Sequence, residues 1–330
     1  MSRLFLALFA ALVVLASRFL YGHAEHAHMG DHILPQCTAS QPYSLRYTGL
    51  APLDAQICNY VVVFHSVLVP QNGAHTPIIS YFAAAGAPYA LLTVLNRFSR
   101  PRLDPLAYPT LWLMATQIFS FGLTFPIYSF LWVYTSNGRL PMPLRSFTRV
   151  DAESVLFAMV LGGAIPSIAM VYLLDPYITW LWQIYPVFIF LFRHLYLLIR
   201  PPSDSAQSAF PVLRFTYIAT FIAALLSHIV IVWPLFADWS ALKTLIIPSI
   251  TPLEPSATLR LIVLHFLKWD FLLGYLGAAL ASLWSAQSPK QLLAMIAWYV
   301  FSSPLIGIGA AFMALAIWRD ARDQGSINLE

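Results

Sequence analysis

Residues 259–284, LRLIVLHFLKWDFLLGYLGAALASLW, decide the fold. A helix rises about 1.5 Å per residue, so about 20 apolar residues suffice to cross the hydrocarbon core of a bilayer. The segment is longer than that and almost entirely apolar. It therefore predicts a transmembrane helix with a single carboxylate, Asp270, near its middle.

The composition of the whole chain agrees with a membrane protein. Hydrophobic residues make up 59% of the 330 residues and charged residues only 10%. Soluble domains carry about 25% charged residues, so lipid must solvate much of this surface. The formal net charge is +4 and no basic run stands out, so no nucleic-acid partner is expected.

Apolar segments long enough to span recur along the chain. Only helices and closed barrels cross lipid, and these segments lack strand alternation, so each predicts a helix. The fold class is therefore all-α, a polytopic transmembrane helix bundle. Two weaker apolar segments, 4–17 and 57–70, precede seven predicted strong spans: 77–95, 109–134, 154–174, 177–199, 212–236, 259–284 and 292–318.

The N-terminal third divides into three parts. Residues 1–21 predict either a signal peptide or a first short transmembrane helix. Residues 22–56 are polar and are expected outside the membrane, and residues 57–330 form the transmembrane helical domain. Within that domain, residues 57–70 are interpreted as a re-entrant or interfacial segment, or as a short span.

The sidedness of the chain stays open in the sequence. Cys37 and Cys58 are either bonded, if they face an oxidising lumen, or two unpaired thiols. Arginines fill the connection after span 77–95 and also the connection after span 109–134. If 109–134 crosses the membrane, these two basic connections lie on opposite sides, and the positive-inside rule gives no decision.

Asp270 is the main candidate for chemistry. A carboxylate near the bilayer midplane is costly and is rarely kept without a function. A carboxyl buried there can remain protonated and act as a general acid. On a helical wheel Asp270 shares a face with Gly274, Gly277 and Ala281, which leaves room either for a ligand or for a closely packed helix. If the helix instead begins near Trp269, Asp270 lies at the interface.

A second candidate stretch is Trp180-Leu-Trp182-Gln183-Ile-Tyr185-Pro186. Its aromatic residues fit an interfacial belt, or a wall whose faces stabilise a carbocation. Gln183 can orient a substrate oxygen. His228 within span 212–236 is a candidate substrate contact, although hydrogen bonding between helices also explains it.

Several other chemistries lack their motifs. The chain has no Gly-x-Ser-x-Gly elbow, no His-Glu-x-x-His and no Walker loop. The histidine-rich stretch from His23 to His32 matches no standard zinc spacing. No metal and no cofactor are therefore expected. No Asp-Asp-x-x-Asp cluster is present to bind a magnesium diphosphate, so any terpenoid chemistry should begin by protonation.

Three motifs carry a resemblance to a known family. They are Gly162-Gly-Ala-Ile-Pro166 with Ser167-Ile-Ala-Met170, Trp182-Gln183-Ile-Tyr-Pro186, and Phe266-Leu-Lys-Trp-Asp270. In these motifs, their order and the overall length, the chain resembles the fungal membrane-bound terpene cyclases typified by the ascofuranone-pathway cyclase, which act in meroterpenoid and indole-diterpene pathways. The resemblance is good over residues 150–285 and rests on hydropathy elsewhere.

The resemblance implies a specific chemistry. It implies that a lipophilic prenylated, usually epoxidised, small molecule is cyclised after an acid opens the epoxide. By position Asp270 would be the acid, Trp182, Tyr185 and Trp269 would line the path of the cation, and Gln183 would orient the substrate. An integral protein of the endoplasmic reticulum membrane is expected.

Two other functional classes stay open at the level of sequence. A small-molecule transporter or exporter would need a polar path that reaches both faces of the membrane, whereas a cyclase needs a pocket closed on one side. A non-catalytic seven-helix membrane protein is the other alternative.

Overall fold

The computed structural model describes residues 2–38, 41–69, 76–96, 104–135, 148–201 and 208–323. Over these residues the chain is helical and forms no strand. The helices are α1 Ser2–Ala16, α2 His23–His26, α3 Met29–Ile33, α4 Ala51–Leu68, α5 Thr76–Asn96, α6 Pro109–Phe119, α7 Phe121–Thr135, α8 Arg149–Ala158, α9 Ile165–Leu173, α10 Pro176–Gln183, α11 Tyr185–Ile199, α12 Phe210–Ile231, α13 Trp239–Leu245, α14 Leu259–Trp284, α15 Pro289–Ile306 and α16 Ile308–Asp323.

Among the described residues, five helical stretches are long and apolar enough to cross a membrane. They are Arg3–His26, Ile78–Asn96, Arg149–Leu173, Phe210–Ala237 and Leu259–Trp284. The pair α10 and α11, bent by 65°, makes a sixth if it is one broken span. The predicted helical membrane bundle is therefore confirmed, but the count of seven spans is not.

The N-terminal apolar segment is longer than the sequence suggested. Helix α1 continues through a π-helical turn, Ser17–Gly22, into α2, so the helical stretch ends at His26. It packs along α7 and α14, and Phe5 and Phe9 share an apolar cluster with Val133 and Trp284. The domain boundaries drawn at residues 21 and 56 stay predictions.

Segment 109–134, predicted as one strong span, is instead a helical hairpin. The chain turns at Ser120, whose φ is 77°, between α6 and α7. The ring of Trp112 lies 5.2 Å from that of Tyr128, and Thr124 Oγ1 donates to the carbonyl of Ala115 at 3.1 Å. In one continuous helix Trp112 and Tyr128 would be about 24 Å apart. The two helices therefore run antiparallel.

Segment 292–318, also predicted as one span, folds in the same way at Gly307. This glycine has a φ of 84°, a conformation that residues with a Cβ rarely adopt. Trp298 Nε1 donates to the carbonyl of Ala311 at 2.9 Å, across the turn. Helices α15 and α16 are therefore an antiparallel pair.

Helix α4 lies across the end of α14. Midway along it, Cys58 and Val62 pack with Leu259, and just beyond its end the carbonyl of Val69 accepts a hydrogen bond from Arg260 at 3.2 Å. The second half of α4 thus crosses beside the first turn of α14. Of the interpretations of residues 57–70, this arrangement fits an interfacial segment.

A disulfide joins Cys37 to Cys58, which settles the alternative of free thiols. The bond closes a loop over a sequence separation of 21, so it should stabilise the fold by about 3 kcal/mol. We expect Cys37→Ser to lower the midpoint of thermal unfolding in detergent by about 2–4 °C per kcal/mol lost.

The control for this prediction is Cys58→Ser, which should give the same shift. The double variant should lose no more than either single variant and should not respond to reductant. A wild-type midpoint that is unchanged by reductant would contradict the stabilising role of the bond.

Candidate active site

Asp270 lies well inside a continuous membrane helix. Helix α14 begins at Leu259, and the Thr258 side chain caps it by accepting from the Leu261 amide. Asp270 is therefore about 16 Å along the helix from its start. This position excludes the alternative in which the helix begins near Trp269 and the carboxylate sits at its end.

The carboxylate faces the turn of the α6–α7 hairpin. Its Oδ1 accepts a hydrogen bond from the Gly122 amide at 2.6 Å, and the Ser120 hydroxyl and the Phe121 amide also interact with it. Phe121 is the first residue of α7, so Asp270 caps the N-terminus of that helix. The free amides and the dipole of a helix N-terminus favour a negative charge. The hairpin thus brings an anion-stabilising site into the interior of the bundle.

The face of small residues beside Asp270 is filled by α7. A Cβ at Gly122 would lie 2.8 Å from the backbone oxygen of Asp270. A Cβ at Gly274 would lie 2.2 Å from the Phe121 ring, and one at Gly277 would lie 3.1 Å from Pro126. Of the two uses expected for this face, close helix packing is the one observed.

A cluster of aromatic rings lies next to the hairpin turn. The buried Tyr89 ring has its centroid 4.6 Å from Phe121, 5.0 Å from Phe125, 4.7 Å from Tyr275 and 5.3 Å from Phe312. The ring of Phe271, the residue after Asp270, is 4.4 Å from that of Tyr275. We refer to Tyr89, Phe121, Phe125, Phe271, Tyr275 and Phe312 as the central aromatic cluster.

Reasoning from the sequence missed this cluster. Its members come from α5, α7, α14 and α16, and no local motif connects them. A chain with 23 Phe and 16 Tyr offers too many candidates for such a set to be selected without contacts.

The predicted residues Trp182, Gln183 and Tyr185 surround the bend between α10 and α11. Trp182 Nε1 donates to Ser167 Oγ at 3.0 Å, and its ring centroid is 6.0 Å from that of Tyr185. The Gln183 side chain is buried, and its Nε2 has no hydrogen-bond partner among the described residues. Trp182 packs against the apolar core that contains Tyr89 and Tyr275.

Trp269 adjoins Asp270 in sequence but points to another part of the bundle. Its ring stacks on Phe19 at 4.1 Å, and its Nε1 donates to the carbonyl of Ser249 at 2.9 Å. Lys268 donates to the carbonyls of Thr244 and Ile247 at 3.0 and 3.1 Å. Both side chains thus donate to the backbone of residues 244–249 and not to the hairpin turn.

The motifs quoted for the resemblance thus lie on helices that contact one apolar core. Comparisons with known proteins support the same family. The family profile of the CtvD domain matches residues 2–322. The chain belongs to the CtvD domain family. It is 24% identical over 277 residues to the terpene cyclase ctvD of Aspergillus terreus, which covers 77% of this chain and 78% of the relative. The resemblance to a fungal terpene cyclase family is therefore confirmed. No solved structure matches the chain.

In this CtvD-domain protein His228 has a clear structural partner. The side chain is 3% exposed, and its Nε2 lies 2.9 Å from the carbonyl of Pro304. That carbonyl is close to the C-terminal end of α15, where helical amide partners are lacking. The His228 ring also lies 5.7 Å from Tyr81. Its predicted contact with substrate stays a prediction beside this bond to the backbone.

Removal of this histidine gives a test of the structural role. We expect His228→Ala to destabilise the fold by about 1–3 kcal/mol, because a buried side chain is removed and the Pro304 carbonyl loses its donor. Thermal unfolding in detergent measures the loss. The control is His194→Ala, because His194 is exposed and, within the described part of the chain, its hydrogen bond is to Phe190 of its own helix. Equal midpoints for the two variants would contradict the role.

Proposed function

We propose that this protein is an integral membrane terpene cyclase that closes the rings of a prenylated, epoxidised secondary-metabolite intermediate. The family match over residues 2–322 carries the proposal of a cyclase. The placement of Asp270 at a helix N-terminus inside the bundle supports a start by protonation. We place the activity in the endoplasmic reticulum membrane and the substrate within the bilayer.

The proposed reaction begins with Asp270 as the general acid. Its carboxyl proton passes to the epoxide oxygen, the C–O bond to the more substituted carbon breaks, and an alcohol and a tertiary carbocation form. The amides of Phe121 and Gly122 stabilise the carboxylate that remains. Because these donors are in place before the proton leaves, they favour the transfer without reorganisation.

The cation is then consumed within the substrate. Each alkene of the chain attacks the cationic carbon in turn, and a carbon–carbon bond forms with each ring. Loss of a proton to a base ends the sequence, so the product is an isomer of the substrate. The faces of aromatic rings stabilise cations without acting as nucleophiles.

The central aromatic cluster is the best-supported wall for this path. Phe121 and Phe271 connect it directly to the groups around Asp270. Trp182 and Tyr185 are proposed to extend the wall. The Nε2 of Gln183, which has no hydrogen-bond partner among the described residues, is proposed to bind a substrate oxygen. His228 is proposed to border the substrate next to Tyr81. Trp269 contributes least to this wall, because Phe19 covers its ring and Ser249 takes its N–H.

The proposal is tested with the full-length protein in yeast microsomes. A prenylated aromatic substrate with a terminal epoxide is added. The products are separated by liquid chromatography and their masses are measured by mass spectrometry. We expect a product of unchanged mass and shifted retention that is missing from microsomes of the empty vector. Recovery of only the epoxide or its diol from a panel of such substrates contradicts the proposal.

A further inference from the structure

One end of the bundle is built around the disulfide. Beside Cys37–Cys58, His32 bonds to the carbonyl of Pro255 at 3.0 Å, just before α14. His65 of α4 lies 2.8 Å from Thr179 in the first turn of α10. The starts of α10 and α14 and the second half of α4 therefore share this end, which we name the disulfide end.

The other end is fixed by a separate set of contacts. Arg200, just after α11, forms an ion pair with Glu153 of α8 at 2.7 Å. The backbone of Thr148 pairs with that of Ser208, which places the start of α12 beside the start of α8. Tyr217 near the start of α12 bonds to Asp320 of α16 at 2.7 Å. We name this the basic end.

The start of α1 belongs to the basic end as well. Phe5 and Phe9 contact Val133, near the end of α7, and Trp284, the last residue of α14. Helix α14 begins at the disulfide end, so its last residue lies at the opposite end. The start of α1 and the end of α16 thus occur on the same side.

The α6–α7 hairpin places the two arginine-rich connections together. Because α6 and α7 are antiparallel, the chain enters and leaves the hairpin at the same end, which is the basic end where α7 finishes. The described helix ends that flank the connections 97–103 and 136–147 therefore lie at one end of the bundle, whereas a single span over 109–134 would place them on opposite sides.

The distribution of positive residues between the ends is strongly uneven. Helices contribute to the basic end Arg3, Arg149, Arg193, Arg214, Lys290, Arg319 and Arg322. Arg200 follows α11 directly, and the two connections add in sequence Arg97, Arg100, Arg102, Arg139 and Arg145. The half of the bundle nearer the disulfide end has Arg18, Arg46, Lys243, Arg260 and Lys268. Two of these five cations donate to backbone carbonyls, Arg260 to that of Val69 and Lys268 to those of Thr244 and Ile247.

We infer that the chain is inserted with its disulfide end in an oxidising lumen and its basic end against the anionic cytosolic leaflet. Cysteines pair stably in oxidising compartments and stay reduced in the cytosol. Lys and Arg are retained on the cytosolic side of membrane helices, where each contributes about 1 kcal/mol of attraction to anionic lipid. The two signals are independent and give the same orientation. In this orientation the Asp270 hairpin enters the membrane from the cytosol.

Glycosylation mapping tests the orientation without interference, since the chain has no Asn-x-Ser/Thr acceptor of its own. Ser256→Asn creates an acceptor in an exposed position just before α14, at the disulfide end. Ala206→Asn creates one in the connection between α11 and α12, two helices whose facing ends lie at the basic end. Neither substitution changes a charge. We expect the full-length Ser256→Asn protein to gain an endoglycosidase-sensitive glycan in yeast and the Ala206→Asn protein to gain none.

Two further measurements, on the full chain without an added acceptor, determine the orientation if neither acceptor is glycosylated. A C-terminal epitope should be removed by protease added to sealed microsomes, because α16 ends at the basic end. Cys37 and Cys58 should react with a maleimide only after denaturation and reduction. A glycan on Ala206→Asn, a protected epitope or thiols that react without reduction would each overturn the orientation.

Discussion

Asp270→Asn is expected to abolish cyclisation. Asparagine keeps the size of the side chain and an Oδ1 that can accept from the Gly122 amide. It has no acidic proton to transfer, so the initiating step is lost while the cap of α7 is largely preserved. General acid catalysis contributes about 10²–10⁴-fold, so product formation in yeast microsomes should fall at least about 100-fold.

A matched control separates chemistry from capping. Asp175 caps α10 by accepting from the amides of Tyr177 and Ile178 at 2.8 and 3.1 Å, but it is exposed. Asp175→Asn therefore repeats the change at a helix N-terminus outside the bundle and should retain most of the product. Both variants should be extracted and purified like wild type. Near-normal product from Asp270→Asn would remove the residue from the mechanism.

Gly122→Ala is expected to displace the hairpin from α14. The added Cβ would lie 2.8 Å from the Asp270 backbone oxygen and 3.0 Å from its Cα. Because these atoms belong to the backbone of α14, the clash can be relieved only if α7 and α14 move apart. Overpacking of this kind costs about 1–3 kcal/mol. Separation also lengthens the bond from the Gly122 amide to Asp270, so the activity should fall together with the midpoint of thermal unfolding.

The control for this prediction is Gly86→Ala. Gly86 lies within α5, and a Cβ there would meet no atom within 4 Å. Alanine is favoured over glycine in a helix by about 1 kcal/mol, so this variant should be at least as stable as wild type. A Gly122→Ala protein with the wild-type midpoint and activity would show that the close approach of α7 is not required.

The hairpin at Ser120 gives the site a property that a straight span lacks. A continuous helix satisfies its own amides and offers none to a neighbour in the membrane. A turn within the bundle exposes the first amides of α7, and Asp270 receives them. The same turn brings Phe121 against Tyr89, so one break in a helix positions both the acid and part of the aromatic cluster.

The second break, at Gly307, is stabilised from outside its own helices. His228 bonds to the carbonyl of Pro304, and Trp233 Nε1 donates to that of Leu305 at 2.8 Å. A Cβ at Gly307 would lie 2.9 Å from the His228 side chain. The histidine chosen from the sequence as a polar group in the bundle thus holds the turn between α15 and α16.

The sequence by itself determined the membrane class and most of the long helices, and it placed Asp270 within one long apolar segment. These features depend on length and hydropathy, which are local properties that a single segment carries. It also placed Gly274 and Gly277 on the face of Asp270, and left open whether a ligand or a closely packed helix fills that face.

Only the tertiary structure decided where the chain folds back and what surrounds Asp270. The hydropathy of an apolar run such as 109–134 is the same whether the run forms one span or two antiparallel helices. The turn residue, Ser120, is itself neither Gly nor Pro. The partner of Asp270 is 148 residues away in the chain, and Tyr89 meets rings from three other helices. Such contacts depend on how helices pack, which no single segment encodes, and the side of the membrane on which each arginine lies follows from the same packing.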